Sequence, residues 1–253
     1  MSYQKIITAD GSITLHSDVF QEACHSTSGA RAETIYNYVE GCEINRTDCH
    51  SILEIGFGVG LGLICTDDFY SKNTSVDIKG KKYFVTTEID EKLLEHSAEL
   101  YPEELTFFPP LKSLKKTEYF YHGENHQAEI LILIGDARKT LQKFYRDFPQ
   151  WPKFDAIYQD AFSPKKNPLL WSQEWFHLLG KKSCEKTILI TYSSAQSVRK
   201  ALEKSSWQVE DRAGLPPKKT TTRAFFKNAT LFEKTYQRDT IPDLSDPSFP
   251  KLF

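Results

Sequence analysis

From residue 51 onward, short β-branched or apolar runs alternate with helical patterns, and this alternation constrains the fold more than any other feature. The candidate strands are SILEI (51–55), KYFVTTE (82–88), AEILILI (128–134), KFDAIYQ (153–159) and TILITY (187–192), with WQVE and AFFKNATLF near the end. Continuous apolar runs of this kind belong to strands buried on both faces, as in a largely parallel sheet covered by helices. Asp90 can cap a helix with Leu93, Leu94, Ser97, Ala98 and Tyr101 on one side, and DARKTLQKFYRDF repeats apolar residues at Ala137, Leu141, Phe144 and Phe148. Asn167 before Pro168 reads as an N-cap opening LLWSQEWFHLLG, with Gly180 as its stop. The Gly-containing turn in TEYFYHGENHQAEILILI predicts that the third strand begins in a hairpin. The expectation is an α/β fold with a mostly parallel seven-stranded sheet and helices on both faces. Residues 1–50 are expected to be a cover packed on the sheet, with SGARAETIYNYVEG as one helix ending at Gly41. Residues 51–235 would form the main domain and 236–253 an extended, Pro-containing tail.

Composition narrows the partners. The chain has 32 basic and 34 acidic residues and a net charge of −2, so no overall field recruits nucleic acid or membrane, and a polyanion must be held by a local patch. Cys24, Cys42, Cys49, Cys65 and Cys184 are odd in number and form no CxxC pair or zinc-spaced cluster, which suits reduced thiols in a cytoplasmic protein without a metal. MSYQKIITADGS lacks a basic start followed by an apolar run, and no stretch reaches the ~18 apolar residues of a membrane span.

LEIGFGVGLG sets Glu54, Gly56, Gly58, Gly60 and Gly62 between the first strand and an apolar helix. Glycines there let the backbone turn and a ligand approach the amides. The dinucleotide fingerprint GxGxxG fails in either register, because Leu61 or Leu63 occupies the third glycine's place, and no GK[ST] follows. A carboxylate two residues before the first glycine would repel a pyrophosphate and attract the ammonium and sulfonium charges of S-adenosylmethionine. Glu88 ends the second strand, where it can accept from two ribose hydroxyls. Asp136, followed by Ala137, ends the third, where it can accept from an adenine amino group. Either acid alone is as readily a helix cap; the combination at successive strand ends points to the cofactor.

QDAFSPKKNPLLW (159–171) puts Asp160 at the end of the next strand, facing the reactive end of such a cofactor. A carboxylate there can hold an amine acceptor by a hydrogen bond and take up the proton it loses. Phe162 can pack on a planar base, and Pro164 stiffens the loop.

At these residues the chain resembles the methyltransferase domain of MnmC, the tRNA wobble-uridine modification enzyme. The shared pieces are DGSITLHS, HSTSGARAE, GFGVG, GDAR and above all DAFSPKKNPLLW, and the resemblance runs over roughly residues 5 to 232. It implies a Rossmann-like class I S-adenosylmethionine-dependent methyltransferase fold and methyl transfer to the amine of 5-aminomethyluridine at the tRNA wobble position. It also implies Gly56, Gly58, Gly60, Glu88 and Asp136 at the cofactor, with Asp160 and Phe162 beside the acceptor. MnmC also carries a flavin oxidase domain that makes the aminomethyl substrate. This chain is expected to lack it, so that either a separate protein supplies the aminomethyluridine or the chain acts on a different acceptor. Ala161 stands where a glycine is usual, and Lys165 is an additional cation.

The segment RAGLPPKKTTTRAFFK (212–227) holds Arg212, Lys218, Lys219, Arg223 and Lys227 with no acid, and with Lys165 and Lys166 it forms the expected tRNA-binding patch. Lys181 and Lys182 would extend it. His25 and Glu33 either close the site from the N-terminal cover or are satisfied locally. Two alternatives stay open: a spermidine synthase-like aminopropyltransferase, and a non-catalytic RNA-binding module on a methyltransferase fold.

Overall fold

A computed structural model describes residues 2–73, 80–102, 105–227 and 243–249. Three short antiparallel strands, β1 (Tyr3–Ile7), β2 (Ile13–Ser17) and β3 (Glu22–Ala23), open the chain. They lead into α1 (Ala30–Thr34), which widens into a π-helical stretch over Ile35–Glu40 and stops at Gly41. The main unit follows as β4 (Ser51–Ile55), α2 (Leu61–Lys72), β5 (Lys82–Glu88), α3 (Lys92–Leu100), β6 (Lys115–Lys116), β7 (Phe120–Glu124) and β8 (Ala128–Ile134). It continues through α4 (Ala137–Asp147), β9 (Phe154–Gln159), α5 (Gln173–Gly180), β10 (Ser183–Thr191), α6 (Gln196–Lys204), β11 (Trp207–Ala213) and β12 (Thr220–Phe226).

The strands lie in the order β11-β12-β10-β9-β4-β5-β8-β7-β6, with β8, β5, β4, β9 and β10 parallel. Among the described residues this sheet has nine strands rather than the expected seven. The two additional ones, β7 and β6, lie antiparallel outside β8, and β7 with β8 forms the hairpin anticipated at the start of the third strand. Central strands are buried on both faces because alternate residues meet different helices. Leu53, Val85, Leu131, Ile157 and Leu189 pack with residues of α4, α5 and α6, whereas Ile52, Phe84, Ile130, Ala156 and Ile188 pack with Tyr38, Leu63, Cys65 and Tyr70.

Several boundaries differ from the sequence expectation: β10 starts four residues before Thr187, and β11 runs on past WQVE to Ala213. Asn167 makes no capping bond; Pro168–Trp171 form a 3₁₀ turn, and α5 starts after Ser172, whose hydroxyl accepts from the Trp175 N–H at 3.2 Å. The proline fixes φ for one tight turn, and the serine supplies the cap. The last expected strand is β12, which begins earlier, at Thr220; residues 228–232 of AFFKNATLF lie outside the described residues.

One buried carboxylate ties α2 to the chain between α3 and β6. Asp67, fully buried, accepts from the N–H groups of Thr106, Phe107 and Phe108 at 2.8, 2.9 and 2.7 Å. Asp67→Ala orphans three amides in an apolar setting and should cost about 3 kcal/mol, read as a lower denaturation midpoint with an unchanged m value.

Candidate functional site

β4 pairs with β5 on one side and β9 on the other, so the ends of β5, β4 and β9 emerge in one line, with β8 beside β5. A cavity of about 210 Å³ lies over this edge, walled by Gly56, Gly58, Glu88, Ile89, Leu93, Asp136, Ala137, Arg138 and Leu170. Gly56 has φ +92°, and a Cβ there would stand 2.7 Å from the Asp160 carbonyl oxygen, so the loop can approach β9 this closely only with glycine.

Glu88 lines this cavity as expected. Its Oε2 accepts from the Gly58 N–H at 3.0 Å and its Oε1 from those of Ile89 and Asp90 at 2.8 and 2.9 Å. Burial pushes its carboxyl up to about 7, against the pull of these amides. Asp136 is both the N-cap of α4 and a cavity carboxylate. It accepts from the Arg138 N–H at 3.0 Å and from the Arg138 Nε and Nη2 at 3.0 and 2.7 Å.

Glu54 departs from expectation. Its carboxyl sits behind the loop, 1% exposed, accepting from the Thr86 hydroxyl at 2.7 Å and filling the space a Cβ on Gly62 would need. It is absent from both cavity walls and braces the loop instead. Gly60 likewise serves the turn into α2, with φ +83°.

A second cavity, of about 340 Å³, meets the first at Cys24, Asp160, Ala161 and Phe162 and is otherwise walled by Glu22, His25, Glu33, Tyr38, Tyr192 and Lys218. Asp160 is the carboxylate both cavities share. The Tyr38 hydroxyl donates to its Oδ1 at 2.5 Å, and His25 Nδ1 lies 3.4 Å from its Oδ2. His25 Nε2 accepts from the Val59 N–H at 3.4 Å, which leaves the ring proton on Nδ1, towards the carboxylate. Burial raises the Asp160 carboxyl above the usual range, opposed by His25 and Tyr38.

The loop after Asp160 is held at both ends. The Trp171 indole donates to the Phe162 carbonyl at 2.8 Å, Gln159 Nε2 donates to the Leu170 carbonyl at 2.8 Å, and the Trp175 indole donates to Gln159 Oε1 at 3.0 Å. Across the cavity, the Ser163 N–H donates to Glu22 at 2.9 Å, and Phe162 stacks on Phe20 with centroids 4.2 Å apart. Sequence reasoning missed Tyr38 and Tyr192, because an aromatic on a helix face or strand end reads equally well as core, and it missed Phe20, in the β2–β3 turn, and Arg138, on α4, because nothing in their local pattern sets them apart.

The expected basic patch divides. Lys165, Lys218 and Lys219 line a groove of about 680 Å³ with Ser163, Ser193, Ser194, Ser197 and Thr220, and this groove shares Tyr192 and Lys218 with the second cavity. Lys166 is exposed in the same loop. Arg212 stacks 3.8 Å over Tyr36. Arg223, in contrast, is occupied by Glu43 and Glu210, and Lys218 also pairs with Glu33. Lys181 and Lys182 precede β10 at the opposite edge of the sheet, where Lys182 donates to the Pro149 carbonyl at 3.0 Å, so they do not extend the patch. Among the described residues no group of three or more His, Cys, Asp or Glu side chains could hold a metal, and no helix is long and apolar enough to cross a membrane.

A nucleoside fits the first cavity: apolar walls for a base, a glycine turn, carboxylates at two strand ends, and an arginine whose charge is already taken by acids. Residues 103–227 match a family of S-adenosyl-L-methionine-dependent methyltransferases. The fold is that of an S-adenosylmethionine-dependent methyltransferase, with S-adenosylmethionine as its cofactor.

More particularly, the chain carries an MnmC-like methyltransferase domain. The crystal structure of MnmC2 from Aquifex aeolicus matches it with a TM-score of 0.69 and 27% identity, over 89% of this chain and 71% of that one. The tRNA 5-methylaminomethyl-2-thiouridine biosynthesis bifunctional protein MnmC of Azoarcus sp. is 26% identical over 221 residues, 83% of this chain and 34% of its own length. An uncharacterized protein of Methanocaldococcus jannaschii is 28% identical over 226 residues, 86% of this chain and 58% of its own. The chain thus spans little more than half of one curated relative and about a third of the other.

Burial holds the Glu54 carboxyl well above its ordinary value of 4.5. A raised folded value means that its contribution to stability is complete below the ordinary value and is lost as pH rises towards the folded one. Glu54→Gln should therefore melt higher than the unsubstituted protein at about pH 8, with a smaller margin near pH 5, while S-adenosylhomocysteine binds within about threefold. A loss of affinity beyond about tenfold, measured by calorimetry, would return the Glu54 charge to the cofactor.

Proposed function

We propose that this domain N-methylates the 5-aminomethyl group of the tRNA wobble uridine, giving 5-methylaminomethyluridine or its 2-thio form. The observation that carries the reading is the shared wall: a buried carboxylate, Asp160, stands between a nucleoside-shaped cavity and a second cavity that opens towards a cation-lined groove. The similarity to MnmC proteins named for tRNA 5-methylaminomethyl-2-thiouridine biosynthesis supports the choice of acceptor.

When bound, the cofactor supplies a methyl group already activated by its sulfonium. The protein's task is to orient a neutral amine. Asp160 accepts a hydrogen bond from the amine N–H, so that the nitrogen lone pair faces the first cavity, and it takes up the proton released as the N–C bond forms. Tyr38 and His25 keep that carboxylate in place, and burial makes it the stronger base. Phe162 offers a ring to the uracil. Gly56, Gly58, Glu88, Asp136 and Ala137 surround the nucleoside. On this reading the reaction takes place in the cytoplasm.

A polyamine acceptor fits less well, because the acids it would need are spent: Glu33 on Lys218 and Glu22 on the Ser163 amide.

The decisive experiment is methyl transfer from labelled S-adenosylmethionine into tRNA from cells unable to methylate aminomethyluridine, with the nucleosides identified by mass. Methylaminomethyluridine should form and should fall at least about a hundredfold with Asp160→Ala, cofactor binding being retained. Unlabelled tRNA with intact cofactor binding would overturn the acceptor, and aminopropyl transfer from decarboxylated S-adenosylmethionine to putrescine would establish the aminopropyltransferase-like reading.

Lys165 and Lys219 are exposed and make no ion pair among the described residues, unlike Arg223. Lys165→Ala and Lys219→Ala should each raise the tRNA KM and lower the salt slope of binding by about 1, while Arg223→Ala leaves that slope unchanged. Filter binding across a salt series measures both.

A further inference from the structure

Residues 243–249 grip two walls of the first cavity at once. At one wall Asp246, 2% exposed, accepts from Arg138 Nη1 at 2.8 Å and from the N–H and hydroxyl of Ser248 at 2.9 and 2.6 Å. At the other, the Leu244 carbonyl accepts from the Gln173 N–H and the Asp246 N–H donates to Glu174, both at 2.9 Å, at the start of α5 just beyond Leu169 and Leu170. Asp243 fastens the same segment to Lys200 and Lys204 of α6, at 2.9 and 2.7 Å.

Arg138 is therefore held on two edges. Nε and Nη2 donate to Asp136 in the cavity wall, and Nη1 donates to Asp246. A guanidinium is planar and rigid, so fixing one edge fixes the direction of the other. With Asp246 in place, both Asp136 oxygens are pinned and their remaining lone pairs have a set direction. Nη1 also donates to the Ser248 hydroxyl at 3.2 Å, so without Asp246 the outer edge keeps only that neutral, longer contact, and Arg138 can swing on its side chain, carrying the Asp136 carboxylate with it.

We propose that Asp246 is a positioning residue for the cofactor: acting through Arg138, it holds the Asp136 carboxylate in the orientation that selects the amino group of adenine. The inference rests on Asp136 facing the adenine, which Asp136→Ala tests separately.

The test compares calorimetric binding of S-adenosylhomocysteine with that of S-inosylhomocysteine, which has a carbonyl in place of the adenine amino group, using the full chain. The unsubstituted protein should prefer the adenosyl compound. Asp246→Asn keeps the side-chain size and removes the charge, and it should cut that preference about tenfold while leaving the inosyl affinity in place. Ser248→Ala, which removes the hydroxyl that donates to Asp246 and accepts from Arg138 Nη1, should shift the preference the same way by a smaller factor. A merely structural role would weaken both compounds in parallel with the melting temperature, and that outcome, or an unchanged preference in both variants, overturns the proposal. If Asp136→Ala leaves the preference intact, the assignment of Asp136 itself is wrong. If Asp136→Ala abolishes it while the Asp246 and Ser248 variants do not, the coupling alone is wrong.

Discussion

A carboxylate taken out of water has to be given donors, and at Asp160 that requirement shapes the site around it. The strand end buries the group, and the donors that compensate it come from the N-terminal segment: Tyr38 on the π-helical stretch and His25 after β3. His25 also accepts from the Val59 amide of the glycine loop. One buried charge thereby binds the cover, the cofactor loop and β9 together. The first 50 residues are a wall of the second cavity as well as a cover, because that cavity's Glu22, His25, Glu33 and Tyr38 all come from them.

Much of this was legible in the sequence, for identifiable reasons. SILEI, KYFVTTE and AEILILI matched β4, β5 and β8 residue for residue, since a strand buried on both faces reads as a short run rich in apolar and β-branched residues rather than as an alternation. The placing of Glu88, Asp136 and Asp160 on one edge followed from parallel strands with acids at their ends. Glu54 was misread because chain order does not state which face a residue takes. Strand parity does: Ile52 packs on the side of α2, so Glu54, two residues later, faces α2 as well, and Gly62 leaves the room. The start of α5 was misplaced because Asn-Pro suits a 3₁₀ turn as well as a helix, and Ser172, four residues after the proline, was the better cap. Tyr38 and Tyr192 carried no signal, for aromatics at buried positions are ordinary core.

The cations show why a basic run in a sequence is a weak guide to a surface. Five bases between 212 and 227 look alike in one dimension, yet antiparallel pairing sends them to different places. The β11–β12 turn carries Lys218 and Lys219 to the site edge, whereas Arg223, within β12, stands opposite Glu210 in the pairing register and meets Glu43. A charge beside an acid on its own sheet is already compensated and has little left for a phosphate. Lys165, Lys166 and Lys219, which make no ion pair among the described residues, are on loops at the carboxyl edge, where strand topology rather than composition placed them.

The specificity of DAFSPKKNPLLW also has a physical basis. Asp160 and Phe162 would be mobile on a twelve-residue connection, and mobility would forfeit the gain from orientation. Gln159, Trp171 and Trp175 prevent it: Trp171 reaches back to the Phe162 carbonyl, and Gln159 is bonded both to the Leu170 carbonyl and to the Trp175 indole. The spacing from the aspartate to the tryptophan is set by the length of loop that one indole can close, with Pro168 tightening the return. Residues that touch no ligand therefore have as strict a reason for their identity as the carboxylate, which is why the motif is far more informative than a glycine loop that any turn could use.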